Sequence, residues 1–296
     1  MFDPRIPYQR RMWHYDSDRP LSVAQLIALG SLDARTAALL WLLVERHQSV
    51  IVSGPTDPTP GIGKTTTLNA LLGFLPPGST LVYTTGMYED FGFRDEVEPA
   101  TTCVLANEVS NHLRIYMWGD VARTLLRLPG DGYAIASSCH ADTVQDVLSM
   151  LRRDLRLPAN DVRGLGVIIN IGIVGRVWPP RRRFLTVNFL APQAPDGAPN
   201  DIRLIPLAEW QASDDTFTPA TQEALAEVAA VVGLPLAEFC AALERRQLLL
   251  EQLSEGRGVG PSRMREAVDA LIASEHGESL DDDDADSGAE GEGAGD

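Results

Sequence analysis

Short apolar runs rich in β-branched residues alternate with segments of helical apolar spacing along the first two thirds of the chain. The runs predict buried strands, since branched side chains suit a pleated surface, and the 3.6-residue spacing between them predicts helices. Strands are predicted at 50–52, 80–84, 101–106, 133–138, 167–177 and 184–190. Helices are predicted at 20–29, 32–46, 64–72, 111–128 and 143–155, with Ser31 as the cap of the second. This alternation predicts an α/β fold with a mainly parallel sheet and later antiparallel strands at one edge.

The pattern changes after residue 190, which gives the predicted domain organisation. Residues 191–200 are rich in Pro, Ala and Gly, and Pro179–Arg183 reads as a hairpin tip between the last two strands. From residue 218 the spacing is helical again, at 222–232, 236–253 and 263–273. The predicted units are 1–48 (N-terminal linker and helices), 49–192 (nucleotide-binding core), 193–217 (connecting segment), 218–275 (C-terminal helical module) and 276–296 (disordered acidic tail).

Composition and charge limit the classes of protein to consider. The 296 residues are 44% hydrophobic and 22% charged, which is typical of globular proteins. The net charge is −16, and eight acidic residues with no basic one lie in the tail Asp281–Asp296. This acidity argues against a nucleic-acid-binding protein. No apolar run approaches the roughly 18 residues of a membrane span, so we expect a cytoplasmic protein with free thiols at Cys103, Cys139 and Cys240.

The most informative stretch is Ser49–Leu72, where a β-branched strand, a Gly/Pro-rich loop and a helix follow one another. This order is typical of a phosphate-binding loop, in which inward-facing backbone N–H groups and a helix N-terminus bind phosphate oxygens. In such a loop Lys64 would neutralise the outer phosphates, and the Thr65 hydroxyl would ligate Mg²⁺. Lys64 is the one lysine of the chain. The loop residues predicted to bind a nucleotide are Gly54, Gly61, Ile62, Gly63, Lys64, Thr65 and Thr66.

The loop departs from the strict phosphate-loop pattern at one place. The pattern requires a glycine five positions before Gly63, where this chain has Pro58. It is restored if Asp57–Pro60 is an insertion, which must then bulge away from the phosphates because proline has no N–H to donate. The alternative is an ordinary Pro/Gly turn before a helix.

Three candidate catalytic residues follow predicted strands, and ligands of parallel sheets bind at the carboxyl ends of strands. Glu108 follows the third strand, where a P-loop ATPase keeps an acid that orients Mg²⁺ and activates water. His140 follows the fourth strand and could contact the outermost phosphate. Glu89 follows the second strand after a short gap and is a candidate second acid, although a solvated loop would explain it equally well.

Several of these segments together resemble the type II/type IV secretion ATPases, most closely the archaeal-type branch that powers pilus and archaellum assembly. The resemblance extends from about Pro20 to Ser274. The segments that carry it are Ser53–Thr56 with Gly63–Leu72, Leu105–Val109, Ser138–Asp142 and Leu243–Leu250. The resemblance implies a RecA-like P-loop NTPase core with a C-terminal helical module, and ATP and Mg²⁺ as cofactors. It also implies that Thr65 and Glu108 serve the metal, and that His140 is the histidine of the family's His box.

The family's biology implies further expectations. These are a hexameric or mixed ring at the inner face of the cell membrane, and a membrane platform protein as partner. Departures from the family pattern favour a second hypothesis: the family's N-terminal domain is not recognised, Asn107 and Ser110 replace a glycine and an arginine around Glu108, and the glutamate of the acidic box is missing unless Glu89 takes its place. On that hypothesis the chain is a hydrolysis-poor paralogue that acts as a nucleotide-binding regulatory or scaffold subunit. A nucleic-acid motor is the third hypothesis, and the acidic composition disfavours it.

Overall fold

A computed structural model describes residues 20–55, 61–175, 179–194 and 196–286, without the side chains of 276 and 278–286. In this part of the chain the strands form one eight-stranded sheet in the order β2-β3-β4-β1-β5-β6-β7-β8. The strand bounds are β1 Val50–Gly54, β2 Thr80–Tyr83, β3 Thr102–Val109, β4 Ala134–His140, β5 Val167–Val174, β6 Arg181–Leu190, β7 Leu204–Gln211 and β8 Thr216–Pro219. Strands β2, β3, β4, β1 and β5 are parallel, and β5 to β8 are antiparallel.

Helices cover both faces of this sheet. Their bounds are α1 Val23–Ala28, α2 Ala34–Glu45, α3 Lys64–Leu71, α4 Asp120–Arg127, α5 Val144–Ser149, α6 Ala159–Arg163, α7 Gln222–Val231, α8 Leu236–Leu253 and α9 Pro261–Asp286. Successive residues of β1 alternate between two cores: Val50 and Val52 belong to one, and Ile51 to the other. The first core lies under α1 to α3 and α7 to α9, the second under α4 to α6. The predicted α/β fold with a mainly parallel sheet is confirmed.

Five predictions differ from the structure, and each difference has a physical cause. The predicted helix 111–128 is reduced to α4, because Met117 pairs with the backbone of Glu108 and Ser110 and Gly119 has a φ of +65°. The predicted hairpin tip is wrong at its basic end, since Arg181–Arg183 lie inside β6 and pair with β5. The cap of α2 is Asp33, whose carboxylate accepts from the Thr36 N–H at 2.7 Å, and not Ser31.

The last two differences concern the predicted boundaries. The connecting segment 193–217 contains β7 and the start of β8, which extend the sheet because Ile205 and Leu207 alternate into the core. Helix α9 continues ten residues past the predicted start of the tail at 276, since no proline interrupts it and one Gly in a helix costs only about 1 kcal/mol. The prediction for residues 287–296 lies outside the described residues.

The C-terminal helices share the first core with the N-terminal ones. Helix α8 packs on α2, which has ten buried residues among its twelve. Arg246 of α8, only 1% exposed, joins Glu45 of α2 to Glu275 of α9 and lies 5.2 Å over the Trp41 ring. Trp41 also stacks on Phe74, with ring centroids 5.0 Å apart. The helical module is therefore part of one packed layer over the sheet.

No single helix in the described ranges is long and apolar enough to cross a membrane. By length and composition alone, α7 and α8 would qualify only as a pair, and they meet at a bend of 102°.

Candidate functional site

The loop between β1 and α3 lies at the carboxyl edge of the sheet. Strand β1 is central, with β4 on one side and β5 on the other. Gly54 ends the strand at a close approach to β5: a Cβ there would stand 2.7 Å from the Ile171 carbonyl oxygen. Gly63 has a φ of +104°, which only glycine adopts without strain, and it places Lys64 at the first turn of α3. Strand, glycine loop and helix follow one another as predicted.

Of the predicted nucleotide-binding residues, those from Gly61 to Thr66 are consecutive and lead into α3. Gly61 is exposed, whereas Ile62, Gly63, Thr65 and Thr66 are half-buried at the start of α3. The predicted insertion Asp57–Pro60, together with Thr56, lies outside the described residues.

The side chain of Lys64 points into the sheet edge. The residue is only 8% exposed, and its Nζ lies 3.1 Å from Nδ1 of His140. An ammonium group can only donate, so the neutral ring accepts at Nδ1 and carries its proton on Nε2. Nε2 of His140 in turn contacts Oε1 of Glu108, which is also 8% exposed. Lys64, His140 and Glu108 therefore form one continuous polar chain, which is called the polar triad below.

Three neighbouring strands bring the polar triad together. Lys64 follows β1, Glu108 lies near the end of β3, and His140 is the last residue of β4, which runs between them. Two hydrogen bonds connect strands at this edge, one between β4 and β3 and one between β5 and β1. The Ser138 hydroxyl donates to the Asn107 carbonyl at 2.6 Å, and the Asn170 amide donates to the Ser53 hydroxyl at 3.0 Å.

Burial sets the charges of the polar triad. Desolvation lowers the pKa of His140 to about 4, with further lowering by Lys64 and His112, so the imidazole is neutral at pH 7. Desolvation also raises the pKa of the Glu108 carboxyl, against the opposing effects of Lys64 and Ser110. The pKa of Lys64 is lowered by burial, and the charge of Glu108 opposes this. Burial thus disfavours the charged form of all three side chains of the polar triad.

Glu89 does not join this group in the described structure. Its Oε2 accepts from the Thr85 N–H at 2.7 Å and the Thr85 hydroxyl at 3.1 Å, and its Oε1 accepts from the Phe91 N–H at 2.9 Å. The buried carboxylate thus stabilises its own loop. A catalytic role for Glu89 stays a prediction.

Sequence reasoning missed two residues that the fold brings to the site. The exposed His112 packs against His140 with the two rings tilted and their centroids 4.7 Å apart. Arg182 reaches the glycine loop from β6 and donates to the Gly61 carbonyl at 2.9 Å. His112 was assigned to a helix and Arg182 to a hairpin tip, so no sequence signal connected either residue with the loop.

The residues present fit a nucleotide with Mg²⁺. Lys64 is a buried cation whose hydrogen bond goes to a neutral ring, so an anionic phosphate would be a better partner. Thr65 lies beside it on the first turn of α3 with its side chain half-buried, and Glu108 supplies a carboxylate across the edge. Hydroxyl and carboxylate oxygens are ligands that Mg²⁺ prefers.

The strand order β2-β3-β4-β1-β5, a glycine loop after β1 and an acid on β3 together define a RecA-like P-loop NTPase core. Residues 16–86 match the family described as Type II/IV secretion system protein. The resemblance predicted from the sequence is confirmed over this segment, which contains the glycine loop.

Two proteins of Methanocaldococcus jannaschii are similar to this chain. The uncharacterized protein MJ0900 is 45% identical over 65 residues, which are 22% of this chain and 11% of that protein. The uncharacterized protein MJ1287 is 26% identical over 251 residues, which cover 77% of this chain and 90% of that protein. The first similarity therefore spans only about a tenth of the relative's length.

Among solved structures, the X-ray structure of the Legionella pneumophila ATPase DotB aligns with 77% of this chain and 61% of its own chain, with 13% identity and a TM-score of 0.27.

Proposed function

We propose that the chain is a Mg²⁺-dependent ATPase of the secretion or pilus-assembly type. The observation that supports this most directly is the polar triad: a buried lysine at the start of α3, a neutral histidine and a buried glutamate meet beside a glycine loop. The family match over residues 16–86 agrees with it.

The roles of the three side chains follow from their contacts. Lys64 would leave Nδ1 of His140 to donate to the outer phosphates of ATP, where a compact ammonium is well suited. The hydrogen bonding of His140 Nδ1 would then depend on whether the outermost phosphate is present. Glu108 would accept the proton of the attacking water, and its raised pKa makes it a better base near neutral pH than an exposed carboxylate.

Thr65 and Glu108 are the residues that would hold Mg²⁺. The ion neutralises charge that develops on the phosphates during hydrolysis. Thr65 supplies a hydroxyl at the first turn of α3, and Glu108 supplies its carboxylate directly or through water. Backbone N–H groups of Gly61, Ile62 and Gly63 would orient the phosphates.

The coupling part of the proposal rests on the family match. The protein would act as a homohexamer or as a mixed ring with a related ATPase, at the cytoplasmic face of the cell membrane. There it would drive a membrane platform protein that assembles a pilus or archaellum or secretes a substrate. Nucleic acid is a disfavoured partner because the chain carries a net charge of −16.

The polar triad also favours an alternative function. With Lys64 bonded to His140 and His140 in contact with Glu108, the three groups contact one another without a nucleotide. If ATP does not separate them, the chain would be a hydrolysis-poor paralogue that binds nucleotide as a regulatory or scaffold subunit of a mixed ring.

Equilibrium binding and hydrolysis of Mg-ATP by the full chain test the proposal, with K64A and E108Q as variants and E98Q as a matched control on an exposed glutamate. We expect K64A to weaken binding about 10- to 100-fold, since hydrogen bonds of charged groups are worth about 1.5–3 kcal/mol. We expect E108Q to bind normally but not to hydrolyse, and E98Q to match the parent chain.

The outcomes separate the two functions. Binding with no turnover at any protein concentration, in the parent chain as in E108Q, would favour the regulatory subunit. Failure of the parent chain to bind Mg-ATP, or binding by K64A as tight as that of the parent, would contradict both.

A further inference from the structure

Arg182 is brought to the glycine loop by a part of the sheet that extends past β1. Strand β5 pairs with β1 from Val50↔Val167 to Ser53↔Asn170 and then continues to Val174. In this extension β5 pairs with the start of β6, where Ile173 lies opposite Arg182. The β5–β6 ladder thus projects over the edge at which the loop leaves β1.

The arginine side chain spans the last part of the loop. Its Nη2 donates to the Gly61 carbonyl oxygen at 2.9 Å, and its Nη1 donates to the Pro180 carbonyl at 3.3 Å. Its aliphatic stem lies alongside Gly63, since a Cβ on Gly63 would stand 3.3 Å from Cδ of Arg182. Arg182 therefore contacts both glycines that precede Lys64.

The bond to Gly61 fixes the orientation of a peptide group. In a planar trans peptide the C=O and the following N–H point in opposite directions. Because the Gly61 carbonyl points at Arg182, the N–H of Ile62 points away from it, towards the other side of the loop. Gly61 is exposed, and a Cβ placed there would meet no atom of the described residues within 4 Å, so packing by the described residues does not fix this peptide.

The backbone of Arg182 is itself held in place by its neighbour. Arg183 is 5% exposed and binds Asp215 through two hydrogen bonds, at 2.7 and 2.8 Å. Its remaining nitrogen, Nη1, donates to the carbonyl oxygen of Arg182 at 2.9 Å. A guanidinium group is a planar fork, so the ion pair with Asp215 also directs this third bond. The backbone position from which the Arg182 side chain reaches the loop is therefore fixed.

From these contacts we infer that Arg182 is a positioning residue of the phosphate loop, which holds the Gly61 carbonyl outward so that the Ile62 N–H is presented to the phosphates of a bound nucleotide. This role rests on the proposed function, since it requires that the loop bind phosphates. It gives Gly61 and Gly63 an external support on strand β6.

The test is the affinity of the full chain for Mg-ADP, measured with R182M, R182K and R181M. Methionine keeps the stem alongside Gly63 but removes the donors, lysine restores one donor, and Arg181 is an exposed matched control on the same strand. We expect R182M to bind about tenfold more weakly, R182K to recover most of the affinity, and R181M to stay within about twofold of the parent. The melting temperature without nucleotide should be the same in R182M and R181M.

The outcomes distinguish this inference from the proposed function when K64A is measured alongside. If K64A loses Mg-ADP binding but R182M binds like R181M, the role of Arg182 is wrong and the nucleotide site stands. If R182K binds no better than R182M, or if R182M also melts well below R181M, the arginine is structural and the inference is overturned. If K64A binds like the parent, the nucleotide site fails and the role of Arg182 fails with it.

Discussion

Nζ of Lys64 lies 3.1 Å from Nδ1 of His140, so an ammonium group donates to a neutral imidazole at the edge of the sheet. The contact depends on the protonation state of the ring, because a protonated imidazole has no lone pair to accept with. Protonation would also place a second positive charge beside Lys64. The arrangement of the polar triad is therefore sensitive to pH values near 4, where His140 of the folded chain takes up a proton.

Stability should fall as the pH is lowered from about 6.5 to about 4. The unfolded chain binds a proton at His140 near pH 6.5, whereas the folded chain does so only near pH 4. The stabilisation from the neutral ring is thus complete above pH 6.5 and is lost as the pH falls through this range. Urea unfolding of the parent chain and of H140Q from pH 7 to pH 4 checks this. The difference in stability between the two should shrink with falling pH, and a constant difference would contradict it.

Gly54 should not tolerate a side chain. In G54A the new Cβ would meet the Ile171 carbonyl oxygen at 2.7 Å, and β1 and β5 would have to move apart in the core of the sheet. We expect a loss of about 1–3 kcal/mol in the free energy of unfolding, together with weaker nucleotide binding. G73A is the matched control, since no atom lies within 4 Å of its Cβ position. Equal urea midpoints for the two variants would show that the approach of β5 is not close.

Glu89 should contribute more to its loop than to turnover. In E89Q one of the three donors from Thr85 and Phe91 would face an amide NH₂ group in a buried position. We expect a loss of about 1–3 kcal/mol in stability with Mg-ATP hydrolysis retained. D95N, on an exposed acid of the same loop, is the control. Unchanged stability with abolished hydrolysis would instead support the catalytic role predicted from the sequence.

Arg246 should be essential to the helical layer. In R246M the carboxylates of Glu45 and Glu275 would lose their buried partner, at a cost of about 3–5 kcal/mol. The neighbouring Arg245 is half-exposed and binds Glu275 alone, so R245M should cost about 1 kcal/mol or less. Urea unfolding of both variants measures the difference. If R246M lost as little stability as R245M, water would be solvating the carboxylates of Glu45 and Glu275 in place of the arginine.

The sequence predicts the central part of this structure because its signals are local. A β-branched strand, a glycine loop and a helix that begins at Lys64 are specified within Ser49–Leu72, and the structure has each of them. Glu108 and His140 were found by their positions after strands, and a parallel sheet brings such positions to one edge. The distances within the polar triad then follow from strand order.

The elements that were missed depend on contacts between distant residues. From the sequence, Arg183 is predicted to lie in a basic turn. In the structure it pairs with Asp215, 32 residues later, and lies inside β6. Residues 111–119 have helical spacing, but Met117 returns to pair with β3. Apolar and polar residues alternate only briefly around Pro206, which is a weak signal for a strand. The segment forms β7 because it pairs with the edge of β6.

The contact between α2 and α8 has a consequence for biosynthesis. Glu45 and Arg246 are 201 residues apart, so the ribosome makes α2 long before the helix that covers it. At a synthesis rate of about 5–20 residues per second, the apolar surface of α2 that α8 covers stays without α8 for roughly 10–40 s. During that interval the nascent chain exposes a strongly apolar helix, and chaperones that shield such surfaces would have their main task here.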